Sequence, residues 1–136
     1  MRRRKTIVIG TFDYQVFANL NSKLSGANYD IRFVQRGVKI LLEILDNDID
    51  LLILDLDLAG VLGIEILPVI RRLRPRLPVI LITEDVNTRI RKMAAELGVT
   101  YQAYKPMTNA ETEAIVSATE RLMERQPVIE YDYVAA

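Results

Sequence analysis

Short apolar runs rich in β-branched residues alternate along the chain with segments whose apolar positions recur every three or four residues. The first pattern reads as strands and the second as amphipathic helices. Thr6-Ile7-Val8-Ile9, ending at Gly10, is the first strand. Val16, Phe17, Leu20 and Leu24 follow at helical spacing, Ser25-Gly26-Ala27-Asn28 closes that helix, and Asp13 suits its N-cap. Tyr29 to Val34 is a second strand. Gly37 precedes a helix carrying Val38, Leu41, Leu42 and Leu45, which Asp46-Asn47-Asp48 ends. Leu51-Leu52-Ile53-Leu54 then runs into Asp55, the pattern of a strand buried on both faces. Gly60 and Gly63 mark a loop, and Ile64 to Leu73 is the next helix. Pro68 falls inside it, removes one backbone donor, and is expected to kink the helix unless it lies in the first turn.

Pro78-Val79-Ile80-Leu81-Ile82-Thr83 is a fourth buried strand. Val86, Ile90, Met93, Ala94 and Leu97 form a helical stripe ending at Gly98, a suitable C′ residue. Val99 to Tyr104 is a short fifth strand. Thr108 with Glu111 reads as a capping box. The helix it opens carries Ala114, Ile115, Ala118 and Leu122, and Gln126-Pro127 ends it. This alternation implies an α/β fold, a (βα)5 doubly wound domain with a five-stranded parallel sheet of the flavodoxin-like kind. One domain is expected over residues 1–126. Residues 127–136 read as a tail, with a frayed end, an added edge strand and a self-association contact all open.

Composition narrows the function. The chain has 18 basic and 18 acidic residues in 136, so no net field draws it to nucleic acid or a membrane. The run Arg2-Arg3-Arg4-Lys5 reads as a solvated terminal tail. There are no cysteines and no histidines, which removes disulfides, thiolate metal sites and any imidazole base, ligand or phosphocarrier. No apolar run reaches the roughly 18 residues of a membrane span and no secretory signal precedes the first strand, so a cytoplasmic place is expected.

Three polar residues end three expected strands: Asp55 the third, Thr83 the fourth, and Lys105, just before Pro106, the fifth. In a doubly wound sheet these carboxyl ends converge on one cleft. A carboxylate, a hydroxyl and an ammonium together suit covalent phosphoryl chemistry, with the carboxylate as nucleophile and the other two on the phosphoryl oxygens. Any one of them alone reads as a turn former or cap; the three together do not. A cis bond at Lys105–Pro106, where cis is inexpensive, would aim Lys105 into the cleft.

In order, spacing and residue types, residues 5 to 125 resemble the receiver domain of two-component response regulators. Asp50-Leu51-Leu52-Ile53-Leu54-Asp55 with Gly60 and Gly63 is similar to the phosphoacceptor strand and its loop, Pro78 to Thr83 to the strand ending in the switch hydroxyl, and Gly98 to Lys105-Pro106 to the strand that delivers the lysine. The resemblance implies Asp55, not Asp57, as phosphoacceptor, assisted by Thr83 and Lys105. It also implies magnesium held by Asp55, the backbone carbonyl of Asp57 and an acidic pair ending the first strand.

That pair is missing, for the positions read Gly10-Thr11-Phe12. Asp13 is the nearest acid; it sits one or two positions late and is read as N-cap ahead of metal ligand. The magnesium site is therefore expected to be weak and phosphorylation slow. Further departures are Glu84 where a very small residue is usual, Gln102 at the aromatic switch position with Tyr101 on the opposite face, and Leu62 before Gly63.

Two readings follow. In one, a partner histidine kinase or phosphotransfer protein supplies the phosphohistidine and Asp55 accepts the phosphoryl group. Thr83 and Lys105 then reshape the face of the fourth helix, fifth strand and fifth helix, which meets a downstream protein and is the expected homodimer contact. In the other, the domain is a phosphorylation-independent pseudo-receiver, an interaction module whose face binds constitutively. A flavodoxin-like enzyme would need a phosphate-cradling loop, of which Gly10-Thr11 is only a fragment. No DNA-binding segment follows residue 126, so output is expected through protein contact or a domain outside this sequence.

Overall fold

Strands and helices alternate throughout the computed structural model, which describes residues 4–58, 60, 63–84 and 88–125. The strands are β1 (Lys5–Gly10), β2 (Tyr29–Val34), β3 (Leu51–Asp55), β4 (Val79–Thr83) and β5 (Tyr101–Tyr104). The helices are α1 (Tyr14–Leu24), α2 (Gly37–Asp46), α3 (Gly63–Leu73), α4 (Thr88–Glu96) and α5 (Asn109–Arg125). All strand pairings are parallel and the sheet order is β2-β1-β3-β4-β5. This is the flavodoxin-like order, with its switch point between β1 and β3.

Alternate residues of each central strand face opposite layers. Ile7, Ile9, Ile53, Ile80 and Ile82 pack with Val16, Leu20 and Ile115 under α1 and α5. Val8, Leu52, Leu54, Val79 and Leu81 pack with Ile40, Ile44, Ile66, Ile70 and Ala94 under α2, α3 and α4. Both faces of β3 and β4 are therefore covered, and every residue in them is buried. That double burial is why their sequence is a continuous apolar run rather than an alternation.

Local differences from the sequence reading have physical reasons. In α2 the packed face is Gly37, Ile40 and Ile44 with Leu41 of the expected stripe partly buried beside them, whereas Val38, Leu42 and Leu45 of that stripe are exposed. Val38, Ile40, Leu41, Leu42, Ile44 and Leu45 spread over more than half of the helix circumference, opposite Lys39, Glu43 and Asp46, so periodicity alone does not choose which part of that wide stripe is buried. The expected capping box is half made: Glu111 N donates to Thr108 Oγ1 at 3.1 Å, but Thr108 N donates to Pro106 O and Glu111 Oε1 is buried without a hydrogen bond. Helix α3 continues through Pro68, which lies on its solvent side.

Gly98 has φ +74° and closes α4 with two bonds, Gly98 N to Ala95 O and Val99 N to Ala94 O, a Schellman motif. Gly63 permits a close approach. A Cβ there would lie 2.8 Å from Leu56 Cα, against the turn that follows β3. Val86, Leu62 and the 127–136 tail, on which sequence expectations fell, lie outside the described residues. None of the described helices is long and apolar enough to cross a membrane.

Candidate functional site

The sheet register gathers the polar strand ends. Asp55 is the last residue of β3 and is 1% exposed. It pairs in register with Ile82, so Thr83 is the next residue out on the neighbouring strand, and Thr83 is also buried. Lys105 leaves β5 with its backbone N–H donating to Thr83 O at 3.0 Å, and its peptide bond to Pro106 is cis. Its Nζ lies 2.9 Å from Asp55 Oδ2.

A buried carboxylate is costly unless paired and hydrogen-bonded, and Asp55 is both. Oδ2 accepts from Lys105 Nζ and, at 2.7 Å, from Thr11 Oγ1. Oδ1 accepts from Asp57 N at 3.0 Å. Thr11 is fully buried, and its oxygen accepts Asp13 N–H at 3.0 Å. With that lone pair occupied, the single hydroxyl proton is directed at Asp55.

Thr11 is the residue the sequence reading passed over. The available signal was the register, since Gly10 pairs with Leu54 and the next residue on each strand therefore meets the other. Positions 10–12 lack the expected acids and carry a hydroxyl at Thr11 instead.

The remaining sequence candidates sit at the rim. Asp13 is the N-cap of α1, its Oδ1 accepting Gln15 N at 2.9 Å. The backbone carbonyl of Asp57 accepts Phe12 N–H at 3.0 Å, and the Asp57 side chain is exposed. A cleft of about 570 Å³ opens above Lys105 and is lined by Asp13, Val16, Glu84, Lys105 and Met107 among others. Glu84 stands exposed at its mouth. Gln102 accepts Tyr104 OH at 3.3 Å, while Tyr101 packs into the layer under α1 and α5.

The donor set does not fit a divalent cation. Magnesium asks for near-octahedral oxygen ligation. Asp55 Oδ2 already has two partners, the Asp57 carbonyl is bonded to Phe12, and Asp13 is bonded as a cap. Among the described residues no three acidic, histidine or cysteine side chains converge.

A family model described as the response regulator receiver domain matches residues 13–117. Over 122 residues the chain is 27% identical to the DNA-binding transcriptional regulator NtrC of Rhizobium meliloti, covering 90% of this chain and 25% of that protein. It thus spans a quarter of that relative's length. Similar solved structures include the non-phosphorylated HemR receiver domain of Leptospira biflexa, with 20% identity and a TM-score of 0.80 over 91% of this chain and 98% of that one. A CheY-like receiver domain protein of Methanospirillum hungatei gives 20% identity and a TM-score of 0.77 over 90% and 96%.

Proposed function

The chain belongs to the response regulator receiver domain family, and we propose that it accepts a phosphoryl group on Asp55 from a partner histidine kinase or phosphotransfer protein in the cytoplasm. The observation that carries this reading is the buried Asp55 carboxylate at the sheet's carboxyl edge, with Lys105 Nζ 2.9 Å away and Thr83 on the adjoining strand. With no histidine of its own, the chain takes its donor from the partner.

In the transfer, an Asp55 oxygen bonds to phosphorus as the P–N bond to the partner's imidazole breaks, and the imidazole takes up a proton. Lys105 neutralises charge on the phosphoryl oxygens and the Thr83 hydroxyl donates to one of them. The module signals rather than turning over a substrate. Because Lys105 follows β5 and Thr83 ends β4, a phosphoryl group held by both would pull on the face of α4, β5 and α5, which would then meet a downstream protein or a second copy. The phosphorylation-independent reading is weaker, since the carboxylate, hydroxyl and ammonium are all retained at the strand ends. Receiver domains generally bind magnesium at an acidic site, and the donor set around Asp55 departs from that.

Intact mass after incubation with acetyl phosphate tests the reading. One phosphoryl adduct is expected on the wild type and none on Asp55→Asn. An adduct on both proteins, or on neither, overturns it.

A further inference from the structure

The geometry points to an acceptor site that works without a divalent cation, with the Thr11 hydroxyl and the Lys105 ammonium holding Asp55 in the cation's stead. This rests on the reading of Asp55 as acceptor only where rates are concerned; cation binding itself is measured with no phosphodonor present.

Three successive residues of the β1–α1 connection close the site. Thr11 Oγ1 donates to Asp55 Oδ2, Phe12 N donates to Asp57 O, and Asp13 N donates to Thr11 Oγ1. The first two take a lone pair from Asp55 Oδ2 and from Asp57 O, oxygens that a cation would use, and the third fixes Thr11 in that position. A carboxylate offers about four acceptor sites, and three of those on Asp55 are filled. The ammonium of Lys105 balances the buried negative charge, so a dication added beside it would meet repulsion in a site of low dielectric. The preceding position offers no acid either. A Cβ on Gly10 would run into Ile40 Cδ1, a fully buried core atom, so a longer side chain there displaces the packing of α2.

Thr11 is thus the positioning residue that decides the matter. Aspartate has nearly the same size as threonine. At position 11 it would set a second carboxylate beside Asp55, and two carboxylates that close repel unless a proton or a cation is held between them, which offers a cation oxygen ligands from both.

The test is calorimetric titration of magnesium into the wild type, Asp55→Asn, Thr11→Asp and the Thr11→Asp/Asp55→Asn pair. No saturable binding is expected in the wild type. Thr11→Asp is expected to gain a site about tenfold or more stronger, as a second carboxylate near the first implies, and the double variant to lose it. Saturable wild-type binding that Asp55→Asn abolishes overturns the inference, as does a folded Thr11→Asp that binds no better than wild type. If Thr11→Asp does not fold, the wild type and Asp55→Asn decide alone.

A second arm follows labelling by acetyl phosphate, in which the Asp55–phosphorus bond forms as acetate leaves. Equal rates in magnesium and in EDTA are expected, and strict dependence on magnesium overturns the inference. No labelling in either condition refutes the acceptor reading and leaves cation binding to be decided by the titration.

Discussion

The hydroxyl of Thr11 donates to Oδ2 of Asp55 across 2.7 Å, tying the end of β1 to the end of β3 through two side chains that water hardly reaches. Thr11→Val keeps the shape and removes the bond. It strips one donor from a buried carboxylate and leaves Asp13 N–H without its acceptor. A loss of about 1–3 kcal/mol in urea unfolding is expected. Thr11→Ser, which keeps the hydroxyl, should recover most of the bond's share.

Lys105 and Asp55 should be strongly coupled. Lys105→Met leaves a carboxylate that is 1% exposed facing an apolar chain. The expected cost is about 2–4 kcal/mol, below the full penalty for breaking a buried pair because the Lys105 side chain keeps 15% exposure. In Asp55→Asn/Lys105→Met the charge is gone from both sides, so the double variant should lose less than the two single losses added. A coupling energy of about 1–3 kcal/mol is expected from the urea midpoints.

Gly63 and Gly26 offer a contrast in backbone space. A Cβ at Gly63 meets Leu56 Cα at 2.8 Å and Leu56 O at 3.1 Å, both backbone atoms that cannot turn aside. Gly63→Ala should cost about 1–3 kcal/mol. A Cβ at Gly26 meets nothing within 4 Å, and Gly26→Ala should fall within about 1 kcal/mol of wild type, on the stabilising side. Thermal unfolding of the two variants checks the order.

Arg71 fastens the far end of α3. Its guanidinium donates to Leu97 O at 2.7 Å, Leu77 O at 2.8 Å, Pro75 O at 3.1 Å and Arg74 O at 3.2 Å. Burial lowers its pKa from the ordinary arginine value, yet the group stays charged at any pH the protein meets. Arg71→Ala should cost about 2–3 kcal/mol. Arg71→Lys should recover little, since an ammonium cannot reproduce the planar fork. Urea unfolding of both variants, with phosphoryl labelling unchanged in each, is the expected result.

The sheet was legible because double burial writes itself as unbroken apolar runs, 51–54 and 79–82, and because Asp55 and Thr83 stand where those runs stop, with Lys105 just past β5. The face of α2 was not, because Val38 and Leu42 are as apolar as Ile40 and Ile44, and only the tertiary position of the helix selects between them. The reciprocal half of the Thr108–Glu111 cap was not, because the turn at Pro106 takes the Thr108 N–H first. Thr11 was hidden for a third reason. Its significance lies in a register with β3 that no local pattern encodes.

The most direct measurement is to locate the acyl phosphate itself. After acetyl phosphate treatment, borohydride reduction converts an aspartyl phosphate to homoserine, and peptide sequencing by mass spectrometry then gives the position. Homoserine at position 55 alone is the expected result. Homoserine at position 57 or 13, or none at all in a folded and freshly treated protein, would contradict the assignment of Asp55 as the phosphoryl acceptor.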